Sequence, residues 1–449
     1  MSDLLSIGAS GVRAYQNALG VVSENIANSG VAGYARRKTE LNEVAAPAAT
    51  GFSPAKFTRG MGVAVGGVER QAEAFRTAAA RSAGADLAKT EASVRWLGRI
   101  EQALTGAKLP ERVTGFFNAG RRLAADPSSP APRAAMLEAA EGAASAFRAT
   151  GQALERTRAE IDETARDLTE KFDGYGQALA VLNERMGRAA SGSSAAAAMA
   201  DERDRLLEAM SGIADIDAAT DEIGRATVRL GGRTGPVFVA GALAGDLAYA
   251  RGDMGAASFA VYRAGEATEV QPMGGALGAI ADAATRAQDA LARVAASATG
   301  FADAVNAAQA AGQGLNGAPG PAMFAVEEGS PDLRVILTDP SGVAAASVGG
   351  GARDGSNLDR LEGARSAGGF ESALTGLTAG NAAALEQRKL VADAQTAILD
   401  GAVAARDAVS GVDLDQEAVD LIRFQQAYQA SSRVIQVARE TFSSILEIR

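Results

Sequence analysis

Two heptad seams, one at each end of the chain, constrain this 449-residue sequence more than anything between them. Near the N-terminus Leu5, Gly8, Val12, Tyr15, Leu19, Val22 and Ile26 step alternately by three and four, which lines them along one side of an α-helix. Asn28-Ser29-Gly30 supplies a C-terminal stop, so the spacing predicts a helix over about 4–28. At the other end Leu421, Phe424, Tyr428, Ser431, Ile435, Ala438, Phe442 and Ile445 step three and four without a slip. Asp413, with Gln416 three residues on, resembles the capping box that opens such a helix. The simplest geometry pairs the two terminal helices and folds the chain back on itself like a hairpin. The spacing leaves two readings open: a helix pair inside one stable monomer, or terminal helices that order only on meeting neighbours. Fixing a residue costs ~1–2 kcal/mol of backbone entropy. A buried apolar side chain contributes ~1.5–3 kcal/mol, and the N-terminal seam has too few of them. The terminal helices are therefore expected to fray in the monomer.

Between the seams the texture changes. Residues 31–68 are rich in Gly, Pro and Thr, with β-like pieces such as "GMGVAVGGV". Helix is expected at about 70–105 around the lone Trp96, again before the prolines of "DPSSPAP", and from Pro132 to about 190. "SGSS" breaks that helix and "DERDRLLEAM" resumes one. After about 213, "ATVRL", "PVFVA", "ASFAVY" and "LRVILTD" read as short strands between Gly-rich turns. The expected class is α+β and multidomain, with long terminal helices forming a coiled-coil-like helical domain and a smaller β-rich domain inserted in the middle. The division is 1–34 (N-terminal helix), 35–212 (helical), 213–360 (β-rich), 361–412 (helical) and 413–449 (C-terminal helix). A helix at about 277–311 interrupts the β-rich part and is a candidate member of the helical domain.

Composition narrows the chemistry. The chain has no histidine and no cysteine, which excludes thiol nucleophiles, Cys/His zinc sites and His-based acid–base catalysis. Lack of cysteine also suits a chain that crosses an oxidising boundary without mispairing. Net charge is −10, the wrong sign for a nucleic-acid binder, and the short Arg36–Lys38 cluster reads as a solvated turn. No apolar run approaches a membrane span, and "MSDLL" opens on an acid where a cleaved signal needs positive charge. "GMGVAVG" lacks the buried strand that a dinucleotide loop requires. "DERDR" reads as a helix surface with salt bridges at i,i+3 and i,i+4. No catalytic residue, metal site or cofactor is expected.

"SENIANSGVAGYARRKTEL" resembles the N-terminal signature of the bacterial flagellar axial proteins (rod, hook and hook-associated subunits) through Ser23, Glu24, Asn25, Ile26, Ala27, Asn28, Gly33 and Tyr34. "GYARR" is closer to the hook-associated protein 1 type, the hook–filament junction, although Ala35 replaces a usual Ser and Val31-Ala32 a usual Thr-Pro. "GMGVAVGGVERQAEAFR", "DERDRLLEAMSGIADID", "GGALGAI" and above all "FQQAYQASSRVI" resemble further family elements. Residues about 221–270 and 312–360 match nothing in it. The resemblance implies a secreted structural subunit whose terminal helices line an axial tube. Its partners would be copies of itself, the flagellar hook protein, the next hook-associated protein and a cytoplasmic export chaperone on the C-terminal helix. The interface residues so implied are Leu5, Val12, Tyr15, Leu19, Val22, Asn25, Ile26, Asn28, Gly33, Tyr34, Leu421, Phe424, Gln425, Gln426, Tyr428, Ile435, Phe442 and Ile445. Asn25 and Asn28 have a plainer reading as helix caps, Gln425 and Gln426 as polar flank, and Tyr15 and Tyr428 as packing residues. A hook or rod subunit, or a carbohydrate-binding module on a helical stalk, are the alternatives.

Overall fold

The computed structural model describes residues 2–44, 61–252 and 255–447, with the side chains of 2, 3 and 445–447 left aside. In chain order come α1 (Ser2–Asn28), β1 (Arg37–Glu43), β2 (Val63–Arg70), α2 (Ala74–Thr105), α3 (Leu109–Ala125), α4 (Pro130–Met186) and α5 (Ser194–Ile213). Strands β3 (Ile216–Thr220), β4 (Ala226–Leu230), β5 (Val237–Ala240) and β6 (Leu243–Ala244) form one antiparallel sheet in that order. Strands β7 (Asp246–Arg251), β8 (Ala257–Arg263) and β9 (Glu266–Val270) form a second. Next is α6 (Gly275–Ala310), followed by β10 (Gly312–Gln313), β11 (Phe324–Val326), β12 (Leu333–Val335) and β13 (Ala346–Ser347), which make two small antiparallel pairs, β10 with β13 and β11 with β12. The chain ends in α7 (Asn357–Gly368), α8 (Phe370–Ser410) and α9 (Leu414–Glu447).

The helix α4 is the spine. Pro130 and Pro132 sit in its first turn, where a missing N–H costs nothing, and its 57 residues extend it to about 85 Å. Both larger sheets are fastened along it by polar side chains about three turns apart, hence on one face. Asp162 accepts from Tyr249 Oη (2.5 Å) and from Arg251. The Asp173 carboxylate accepts from Leu247 N (2.8 Å). Asn183 donates to the carbonyls of Ala226 and Gly241 and accepts from Ala226 N. Between these pins Phe238 of β5 lies tilted by 51° against Phe172, centroids 4.7 Å apart, and over Gly176, where a Cβ would collide with the ring.

Aromatics are sparse but pooled. Phe116, Phe117, Phe147, Phe301, Phe324 and Phe370 form one cluster with centroid spacings of 5.2–6.4 Å, joining α3, α4, α6, β11 and α8. The hydrophobic core does not stop at residue 213: it continues from α3 and α4 into Val228, Leu230, Phe238, Phe259 and Val261 of the sheets. The helix expected at 277–311 is α6, which packs along α2 and α4. "LRVILTD" is strand only over Leu333–Val335.

The terminal helices are continuous and packed on each other, where seam burial alone leads to fraying. Two further contributions hold them: the β1–β2 hairpin lies against α1, and a buried polar cluster joins both helices below. The N-terminal contact face is also rotated from the expected seam. Gly8, Gly11, Ala14, Ala18, Val21, Val22 and Asn25 are buried, whereas Leu5, Val12, Tyr15 and Leu19 are half-buried and Ile26 is exposed. Small residues win because α9 comes close: a Cβ on Gly8 would meet Ile435 Cγ1 at 2.7 Å, and one on Gly11 would meet Ser431 Oγ at 2.5 Å.

Burial pushes the Asp173 carboxyl up to about 6, opposed by the Leu247 N–H and reinforced by Asp246 and Glu170. A folded pKa above the ordinary carboxylate value means that the folded chain holds a proton the unfolded chain has lost between about pH 4 and 6. Ionised Asp173 thus subtracts stability above pH 6, and that loss disappears as pH falls through this window. Asp173→Asn keeps the acceptor without the charge. Thermal melts should show it raising the midpoint at pH 7 by about 1–2 °C, corresponding to no more than about 1 kcal/mol after solvent screening. The gain should vanish near pH 4, and a lower midpoint at pH 7 would contradict the assignment.

Candidate functional site

The end of α1, the turn that follows it and the start of α9 converge on one side-chain amide. Asn25 is fully buried. Its Nδ2 donates to the Arg37 carbonyl (2.8 Å) and to Glu417 Oε2 (3.0 Å). Its Oδ1 accepts from Arg37 N and from Tyr34 Oη, both at 2.9 Å. Both donors and both lone pairs of the amide are therefore satisfied, and the bonds to Arg37 N–H and C=O mimic a neighbouring strand. Asn25 is not a helix cap. Asn28 is closer to one, with Nδ2 donating to the Glu24 carbonyl in the last turn (2.8 Å).

Around this amide lies an ionic layer. Glu417, also fully buried, takes Arg36 Nε on its second oxygen (2.6 Å), and Arg36 Nη2 reaches Asp420 (3.2 Å). Arg37 spans from Glu24 of α1 (2.9 Å) to Asp201 of α5 (3.1 Å), with its guanidinium 4.8 Å over the Tyr34 ring. Arg70 at the end of β2 completes the layer through Asp201 (2.6 Å) and Asp204 (2.8 Å). Burial pushes the Tyr34 hydroxyl up to about 12, offset by Arg37 and reinforced by Glu24, Asp201 and Glu417. Burial works against the charge on Arg37, but its bonds to Asp201 and Glu24 outweigh this and its pKa is raised overall.

Two expectations are corrected here. Arg36 and Arg37 are not a solvated turn: both are largely buried and paired, and only Lys38 of the cluster is exposed. "DERDR" is not simply a helix surface. Glu202–Arg205 is an exposed i,i+3 pair, but Asp201 is buried and its partners Arg37 and Arg70 lie far away in sequence. Spacing within α5 carries no trace of them. Gly33 has φ +75° and packs against the Arg205 side chain, so the turn needs glycine both for its backbone and for its closeness to α5.

The other expected residues fall on two faces of the terminal pair. Tyr15 stacks on Phe424 across it, centroids 6.3 Å apart. Leu421, Tyr428, Ser431 and Ile435 are half-buried and Ala438 is buried on the same side. Gln425, Gln426 and Phe442 are exposed, and the side chain of Ile445 lies outside the described residues. Asp413 caps α9 by accepting from Asp415 N and Gln416 N (2.9 and 3.3 Å). Sequence spacing missed a second apolar stripe on α9: Val419, Ile422 and Val437 are each more than half exposed. Val419 and Val437 are eighteen residues apart, five full turns, and so share a side with Ile422, but too few apolar positions fall between them for the spacing to stand out. Among the described residues no group of three or more Asp or Glu is placed to hold a metal ion, and no helix is long and apolar enough to cross a membrane.

Asn25→Ala removes the partner of the Arg37 N–H and carbonyl, of Tyr34 Oη and of Glu417 Oε2, although Arg36 still holds the other Glu417 oxygen, and each buried group so orphaned costs about 1–3 kcal/mol. Hydrogen exchange should quicken at least tenfold in α9 and at the start of β1, while α3, α4 and α6 keep their protection. Unchanged exchange in α9 would show that the amide does not hold the pair.

Comparison with known proteins follows this geometry. Residues 97–324 match the family model described as the flagellar hook-associated protein FlgK helical domain. Residues 406–448 match the flagellar basal body rod FlgEFG protein C-terminal model. Over 252 residues the chain is 28% identical to flagellar hook-associated protein 1 of Salmonella typhimurium, covering 55% of this chain and 44% of the relative. Over 228 residues it is 26% identical to that of Escherichia coli K12, covering 50% and 41%. The matches thus span less than half the length of these relatives. The structure of the flagellar hook junction protein FlgK from Burkholderia pseudomallei shares the fold, with a TM-score of 0.65 at 15% identity over 74% of this chain and 100% of that one. With its helical core matching over half its length and its terminal helices locked at Asn25 and Glu417, the chain belongs to the flagellar hook-associated protein FlgK family.

Proposed function

We propose that the protein is a non-enzymatic structural subunit of the bacterial flagellum, placed outside the cell where hook joins filament. The observation that carries this reading, beside the family, is the apolar side chains that the paired terminal helices leave uncovered: Val419, Ile422 and Val437 on one side of α9, and Phe442 on the seam side five turns past Phe424, each more than half exposed. A monomer seldom leaves such a surface in water. Identical subunits meeting head-to-tail with a screw offset cover it in a ring or tube. In this reading Val12, Tyr15, Leu19, Val22, Leu421, Phe424, Tyr428 and Ile435 hold the pair together, with Leu5 at its open end. Ile26, Gln425, Gln426 and Phe442 face neighbouring copies. Asn25, Asn28, Gly33 and Tyr34 set the turn that leaves the tube. The hook protein lies on one side and the next hook-associated protein on the other. An export chaperone covers α9 before assembly, because that stripe invites aggregation.

Removing residues 413–449 from the chromosomal copy tests the assignment by electron microscopy of negatively stained cells and blots of the medium for flagellin. Hooks without filaments, with flagellin shed into the medium, are expected. Missing hooks would move the protein to the hook or rod class that the match at 406–448 also touches. Normal filaments would overturn the structural reading.

A further inference from the structure

Two parts of the molecule meet almost without apolar contact. The terminal unit comprises α1, β1, β2 and α9, and the body comprises α2 to α8 with their sheets. They are joined covalently at residues 71–73 and 411–413. Among the described residues no body helix packs extensively on α1 or α9. What spans the gap is polar. The Asp201 carboxylate, 5% exposed, is clamped between Arg37 and Arg70 of the unit, and Arg70 also reaches Asp204. Two backbone bonds accompany the clamp: Val68 N to Gly192 O (2.7 Å) and Arg36 N to Ser410 O (2.8 Å). Beside it opens a cleft of about 830 Å³, walled by the turn at 29–36 on one side and by Arg205, Glu208 and Arg406 on the other.

We propose that the Arg37–Asp201–Arg70–Asp204 cluster is a latch that fixes the angle between terminal unit and body, and that its release lets the unit swing as a rigid arm about the backbone contact at Arg36 and Ser410. An apolar seam would resist such a swing in proportion to the area exposed. Here the open state exposes ions and amides, which water solvates, and the cleft provides room for the movement. Charges facing the cleft are mixed, with Arg36, Arg70, Arg205 and Arg406 against Asp204, Glu208, Asp407 and Asp413, so no net field forces it open. Each part keeps its own core as it moves. The device does not depend on what the protein assembles into.

The chain has no cysteine, so introduced cysteines carry spin labels cleanly. Pulsed electron–electron double resonance between Ala430→Cys on α9 and Lys171→Cys on α4 reads the angle, and Asn17→Cys with Ala430→Cys reads the unit alone. Asp201→Asn with Asp204→Asn should widen the arm-to-body distance distribution at least about twofold, since a latched state becomes one of several populated states. The distribution within the unit should not change. The parent chain should widen in the same direction when salt rises from 0.05 to 1 M, where the screening length shrinks from over 10 Å to about 3 Å. Widening in the double variant supports the latch even if buried pairs make the parent insensitive to salt. A double variant as narrow as the parent overturns it. If the double variant does not fold, Arg70→Gln, which removes the bonds of Arg70 to Asp201 and Asp204 while leaving the body unchanged, decides by the same reading: a wider distribution supports the latch, and one as narrow as the parent overturns it.

Discussion

Asn25 and Glu417 are 392 residues apart and hydrogen-bonded, and the rest of the fold is arranged so that this contact can form. Closing so long a loop costs entropy that grows only slowly with length, so the requirement falls on geometry. Every element between the two residues must leave the terminal unit and return to it. Helix α2 carries the chain out from the unit, α4 brings it back to meet β2 at Gly192, α6 leads out again and α8 returns to Ser410, with the sheets hung on the side of α4. Glu417 then arrives where both of its oxygens find donors, one on Arg36 and one on Asn25. Without them it would be an uncompensated buried charge, which is strongly destabilising.

The core between these ends is built mainly from alanine and small aliphatic residues, with the phenylalanines gathered in one place. Small side chains let helices approach closely, but they discriminate poorly between one register and the next. Register is supplied by buried polar groups that have a single good arrangement. Asp162, Asp173 and Asn183 hold the sheets to α4, and Asn306 holds β11 by accepting from Met323 N and Phe324 N. Asn357 donates to the carbonyls of Ala308 and Ala344. Arg133, 2% exposed, reaches the carbonyls of Pro127 and Val343. Each would be costly if displaced by one residue.

The same chemistry divides the molecule. Inside the body, polar pins sit within an apolar core and cannot open without exposing it. At the boundary with the terminal unit the pins stand nearly alone. The protein is thus stiff within its parts and held by charge between them. The uncovered apolar residues of α9 lie on the terminal-unit side of that boundary.

The sequence by itself determined the helices and their pairing at the ends, because a heptad seam is local and periodic and survives without knowledge of the rest of the chain. It also located β2, β4, β5, β8 and β12, the last drawn too long, but missed most of their partner strands. Through the wording from Ser23 to Tyr34 and from Phe424 to Ile435 it determined the family. Only the tertiary structure decided which face of α1 is buried, since that follows from how closely Ser431 and Ile435 approach Gly8 and Gly11. Only it turned Arg36, Arg37 and Asp201 from apparent surface charges into a buried network. Their partners are 381, 164 and 131 residues away. A charge shows its type in sequence, but it shows its partner only once the chain has folded.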